Sequence, residues 1–301
     1  MAGAAPAVTL VVLLGYGLGA LAGWAFSRSD RVAPAWRMVI RTQLIAVSVF
    51  VSFLAAWRLE GPSDLAWPLV GGVLGILLLA SAFAITPRGA EGPGRAALRG
   101  WAVLPNGGYW VIPVATVIGG VPGAVIAVLL DRVFIALAGG LTWQLRRYAP
   151  IPQRARTSWI DQAPVIALLV GLAVNAVSDA PEWTAMALIW TAPVLALTGA
   201  AVFVGSVLHP SQRIDWRPGV RAWSILSSVR IALFLPVAVL VPNPAVGIVF
   251  ALFAFSIPAF FPPQLSILYG YRDAVVAASV RWGWLFAPPG IALAAILWSR
   301  G

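Results

Sequence analysis

There is no cysteine in these 301 residues, no lysine, and only one histidine, His209. The first absence excludes disulfides and thiolate metal sites. The lone histidine lies in a polar loop, and no paired aspartates fall on facing apolar segments. Intramembrane proteolysis and metal-assisted hydrolysis need such groups, so neither an enzyme nor a metal or other cofactor is expected. Charge is scarce too: 10% of residues are charged and 60% apolar, whereas about a quarter of a soluble domain is charged. The net charge of +10 does not point to nucleic acid, because every basic residue is Arg and most lie in short loops between apolar runs. That is the positive-inside pattern of a membrane protein. No charge precedes Arg28, so the basic region of a cleaved signal peptide is missing and a retained first helix is expected.

What the chain has in abundance is apolar runs of about 20 residues, each long enough to cross a bilayer. Ten spans are expected, at about 6–26, 36–57, 65–86, 100–119, 122–145, 161–178, 183–206, 219–241, 245–269 and 274–298. Odd-numbered loops hold Arg28, Arg31, Arg88, Arg95, Arg99, Arg146, Arg147, Arg154, Arg156, Arg213, Arg217 and Arg272, whereas even-numbered loops hold only Arg58 with four carboxylates. Odd loops are therefore expected in the cytoplasm of a cell (plasma or inner) membrane protein, with both termini outside. Residues 1–147 form a first five-helix repeat, 148–160 a cytoplasmic linker and 161–301 a second repeat. An odd number of spans per half inverts the second half relative to the first. The expected fold is all-α and polytopic, ten transmembrane helices in two inverted five-helix repeats.

Leu104 to Gly120 is apolar enough for a membrane, yet Asn106, Gly107, Gly108 and Pro113 disfavour a continuous helix. A break is expected just before Pro113. Broken helices at membrane depth mark binding sites in transporters. Shifting by 150 positions lays Val117–Val128 on Ile267–Ala278, Gly120 on Gly270, and Pro113 on Pro263 within a second interrupted segment. Spans four and nine are thus the expected broken crossover helices.

Candidate binding residues at the crossing are Asn106, Gly107, Pro113, Ser256, Pro258, Pro263 and Gln264. The Asn106 amide is suited either to a carboxylate or to backbone freed by the glycines. Amides following Pro113 and Pro263, at the starts of half-helices, would favour an anion. Asp131, Arg230 and Arg281 lie deep in apolar spans; such charges need pairing or a cavity. Asp131 either pairs with Arg132, Arg230 or Arg281, or carries a proton in the cycle. Gly15, Gly19 and Gly23 share one face of span one, as close helix packing requires; Pro164 and Gly171 mark its counterpart, span six.

Asn106, Pro113 and Gly120, with Pro258, Pro263, Tyr269 and Gly270, resemble the crossover motifs of the auxin efflux carriers, within the bile acid/auxin/arsenite transporter superfamily. The resemblance implies a scaffold of spans one, two, six and seven, often the dimer-forming part, and a moving domain of spans three to five and eight to ten. It also implies export of a small organic anion. Tyr109 and Trp110 stand where relatives usually have small residues. The function expected is secondary transport of a carboxylate by alternating access. A receptor or scaffold of the same fold, or transport of a neutral metabolite, are the alternatives. The partners expected are the organic anion, the bilayer and a second copy of the chain.

Overall fold

The computed structural model describes residues 4–28, 38–39, 42–85, 105–148, 163–207, 217–256 and 287–300. Nearly all of them are helical. In chain order the elements are α1 (Ala4–Ser27), a π-turn (Gln43–Val47) running into α2 (Ser48–Trp57), α3 (Pro62–Ile85), a second π-turn (Gly107–Val111) running into α4 (Ile112–Tyr148), α5 (Ala163–Asn175), α6 (Glu182–Val207), α7 (Arg217–Leu240), α8 (Pro244–Ala254) and α9 (Ala287–Trp298). Pro258, Pro263, Gln264, Tyr269, Gly270, Arg281 and His209 lie outside the described residues.

Among the described residues, four helical stretches are long and apolar enough to cross a membrane: Pro6–Ser27, Ser63–Ala84, Gly107–Leu137 and Glu182–Gly205. Their outer faces are apolar as well. Leu10, Leu13, Leu14, Leu18 and Leu21 are exposed on α1, and Leu69, Val73 and Ile76 on α3. Water penalises apolar patches of that extent and hydrocarbon does not, so the chain is a helical membrane protein.

Two helix pairs dominate the packing, α1 with α6 and α2 with α5. Both rest on missing side chains. A Cβ added at Gly15, Gly19 or Gly23 would lie 2.8, 2.1 or 2.4 Å from the carbonyl oxygens of Pro193, Leu197 or Ala201 on α6. One added at Gly171 on α5 would lie 2.5 Å from the Phe53 carbonyl oxygen on α2. Where two helices are bathed in lipid, close backbone approach replaces the hydrophobic effect as the source of attraction. Polar contacts lock the far end of the second pair. The Asn175 amide donates to the Trp57 and Leu59 carbonyls at 2.7 and 3.0 Å, while the Trp57 indole donates to the Ser178 carbonyl at 3.1 Å.

The α4 element turns back on itself at Gly120, whose φ of 61° and ψ of −147° are non-helical. A Cβ on Gly123 would lie 2.6 Å from the Ala115 carbonyl oxygen, and one on Gly107 would lie 2.0 Å from Asp131 Oδ1. In an unbroken helix those pairs would be separated by about 12 and 36 Å along the axis. Residues 107–119 and 121–148 are therefore antiparallel limbs of a helical hairpin. Pro122 follows the turn, where a missing N–H is harmless. Gly120 occupies a region that is almost glycine-only, so Gly120→Ala is expected to lose about 1–3 kcal/mol of stability, measured as a fall in melting temperature in detergent.

The second limb is clasped to α7 and α8 by aromatic rings. Phe134 lies 5.9 Å from Phe234 on α7 and 5.4 Å from Phe253 on α8, centroid to centroid. Phe250 on α8 is 5.8 Å from Phe234. Every residue of α8 from Ala245 to Ala254 is buried, as expected of a helix enclosed by others rather than by lipid. Asn243 starts α8, its side chain accepting from the Ala245 and Val246 amides. The helix stops at Phe255, just ahead of the expected interruption at Pro258.

Candidate functional site

The first broken helix does not break at Pro113. It begins at Gly107, and Pro113 sits within the opening turns of the helix that follows. The Asn106 carbonyl accepts from both the Trp110 and Val111 amides, at 3.2 and 3.1 Å, which opens the first turn to π geometry. The N–H that Pro113 lacks would have met the Tyr109 carbonyl four residues upstream, and that carbonyl accepts instead from the Tyr16 hydroxyl at 2.8 Å. The amides after Pro113, expected to hold an anion, therefore continue a helix instead of starting one. Upstream, the Gly107 N–H donates to the Pro105 carbonyl at 2.9 Å, which leaves the Gly108 amide as the one turned to the second limb.

That amide already faces a carboxylate. Asp131, on the second limb, lies against Gly107, and the Gly108 backbone N–H interacts with it. Only a glycine at 107 leaves room for this approach. Arg132 Nη1 lies 3.3 Å from Asp131 Oδ2. This is charge contact without hydrogen-bond geometry, since Oδ2 has no hydrogen-bond partner among the described residues. Of the three cations considered for Asp131, the neighbouring Arg132 is thus in place, Arg230 is engaged elsewhere, and Arg281 lies outside the described residues.

Asn106 and Ser256 meet. The Asn106 backbone N–H donates to Ser256 Oγ at 2.8 Å, across a separation of 150 residues. Both residues are buried. Ser256 ends α8 just as Asn106 starts the first limb, so an N-terminal half-helix end and a C-terminal one converge. Arg230, from α7, closes the C-terminal end. Its Nε donates to the Ala254 carbonyl at 3.2 Å and its Nη2 to the Ser256 carbonyl. A guanidinium is well matched to a helix C-terminus, where carbonyls are unpaired and the dipole is negative. α8 has 11 residues and so rises about 16 Å. Asp131 is about as far from the turn at Gly120. Each distance is roughly half the ~30 Å of a hydrocarbon core.

The Asn106 side chain caps nothing, and its Nδ2 is buried without a hydrogen-bond partner among the described residues; Arg132 Nε is in the same position. Leaving a buried donor unpaired costs about 1–3 kcal/mol, so these atoms are poised for a partner of their own. Asn106, Gly107, Ser256, Asp131 and Arg230 are therefore brought into one connected polar network, joined by Arg132, while Pro113 supports the helix that carries it.

Tyr109 and Trp110 are buried and tie this network to the surrounding helices. The Tyr109 hydroxyl donates to Gln43 Oε1 on the π-turn before α2, and the Tyr109 carbonyl accepts from the Tyr16 hydroxyl of α1 at 2.8 Å. The Trp110 ring lies 6.4 Å from that of Tyr16. Gln43 and Tyr16 escaped sequence reasoning, though a glutamine inside an apolar span was a visible signal. No protein-family model matches the chain, and no curated protein matches it in sequence.

Proposed function

We propose that this protein is a secondary transporter that exports a small organic anion, such as a carboxylate, by alternating access around the crossing of two broken helices. The observation that carries this reading is the buried, unpartnered Asn106 Nδ2 at the point where the two half-helices meet. The balance of ionisable side chains buried among the described residues favours an anion: there is one carboxylate, Asp131, and there are two guanidiniums, Arg132 and Arg230. A carboxylate would take hydrogen bonds from Asn106 Nδ2 and Arg132 Nε.

The architecture behind this reading is the ten-span inverted repeat, with both termini outside the plasma or inner membrane and the scaffold forming a homodimer. The support for the inverted repeat is the packing. In a repeat that maps span one on six and two on seven, a contact between one and seven must recur between six and two. α1 with α6 and α2 with α5 are those pairs, and they pack most extensively. The 150-residue separation of Asn106 and Ser256 equals the repeat offset. An inside-negative potential favours anion exit by about 2.3 kcal/mol per charge per 100 mV, so export needs no coupling ion.

The test is solid-supported-membrane electrophysiology on purified protein in liposomes, across a panel of small carboxylates. Wild type is expected to give a saturable current, and Asn106→Ala to lower the apparent affinity at least tenfold while remaining monodisperse. Silence in both electrophysiology and labelled counterflow would remove the transport reading and leave a receptor or scaffold.

A further inference from the structure

We propose that Asp131 sets the charge of the site and thereby selects singly charged anions over doubly charged ones. The inference rests on the transport reading above and narrows its substrate class.

The network runs without a gap from Arg230 through Ser256 and Asn106 to the glycine pair, Asp131 and Arg132. All three ionisable groups are buried, and with each carrying its usual charge their sum, among the described residues, is a single positive charge. Two donors in this network lack hydrogen-bond partners, Asn106 Nδ2 and Arg132 Nε, a number that suits the two oxygens of one carboxylate. One such carboxylate brings the network to neutrality. A dianion leaves an uncompensated negative charge in a medium of low dielectric, where charge imbalance is far more costly than in water. Asp131 achieves this without touching the substrate. It occupies the Gly108 amide at the helix start and offsets one of the two guanidiniums, so it acts as a positioning and charge-setting residue.

The charge logic makes a graded set of variants predictive. Asp131→Asn gives a network of +2 and is expected to shift preference toward dianions at least tenfold. Arg132→Gln gives a neutral network and is expected to lower transport of all anions at least tenfold. The double variant Asp131→Asn/Arg132→Gln returns the network to +1 and is expected to recover the preference for monoanions, which a merely structural role for Asp131 does not predict.

The experiment compares counterflow of labelled acetate, lactate and benzoate with that of malonate and succinate in proteoliposomes at neutral pH. Malonate against monomethyl malonate, which differ by one charge on the same skeleton, is the comparison within wild type. Wild type is expected to favour monomethyl malonate at least tenfold, which needs no variant to fold. Transport with malonate equal to or above its monoester, or a folded Asp131→Asn that keeps the monoanion preference, overturns the charge-setting role and leaves the transporter reading standing. No counterflow of any anion by wild type overturns both.

Discussion

Gly107→Ala is expected to abolish transport, with currents at least a hundredfold below wild type, whereas Gly108→Ala keeps them within a fewfold. The two glycines are neighbours in the same π-turn, and their surroundings differ. A Cβ at 107 would lie 2.0 Å from Asp131 Oδ1, 2.7 Å from its Cγ and 2.9 Å from its Cβ. Rotating the Asp131 side chain relieves the first two contacts but not the third, because Cβ moves only with the backbone of the opposing limb. The limbs must separate, at an overpacking cost of about 1–3 kcal/mol, and the carboxylate leaves the helix start. A Cβ at 108 meets only Asp131 Oδ2, at 3.8 Å, an ordinary contact. Currents measured alongside melting curves separate the two variants. Equal losses would show that the glycines serve only the flexibility of the turn.

Gly19→Ala is expected to be the most destabilising single methyl on α1. Its Cβ would lie 2.1 Å from the Leu197 carbonyl oxygen and 2.8 Å from the carbonyl carbon, both backbone atoms of α6. No rotamer change relieves a clash with backbone, so the helices must move apart and lose contacts along their whole length. A loss of about 3 kcal/mol corresponds to a fall in melting temperature of roughly 5–10 °C. Gly17→Ala is the internal control. Nothing lies within 4 Å of its added Cβ, and alanine is the better helix former by about 0.5–1 kcal/mol. It should melt at or above the wild-type temperature. Fluorescence-detected melting in detergent reads both.

The helices themselves were legible in the sequence because hydrocarbon demands long apolar runs, and the small-residue face of Gly15, Gly19 and Gly23 was legible because its spacing has one common use. The pairing of Asn106 with Ser256 could be anticipated as well, since an internal offset of 150 brings those positions into correspondence. Proline misled because its cost depends on tertiary contacts. Pro113 lies beyond the first turn of a helical run that begins at Gly107, and the carbonyl its missing N–H leaves, that of Tyr109, is taken up by a hydroxyl from α1, which no local spacing reveals. The seat of Asp131 against Gly107 was hidden for a different reason. Spans expected at 100–119 and 122–145 already imply a reversal near Gly120. Which residues face each other across it depends on the sharpness of that turn, and a spacing of 24 positions does not give that register. Gln43 was visible as a polar residue in an apolar span, but only the fold shows that it meets Tyr109.

The hydrogen bond between Asn106 and Ser256 also constrains how the molecule is made. Residues 107–119 form a limb of about 20 Å, too short to cross ~30 Å of hydrocarbon by itself. The Asn106 amide acquires its acceptor from a serine 150 residues downstream, which at ~5–20 residues per second leaves the ribosome roughly 8–30 s later. During that interval Tyr16, Gln43 and Asp131 can already engage the start of the limb, but the Asn106 amide has no native acceptor at membrane depth and must bond water or other nascent chain. Completion of the Asn106 seat is thus late relative to synthesis of the first hairpin. A chain truncated before Ser256 should hold Asn106 open to aqueous labelling reagents, and release of the full-length chain should close it.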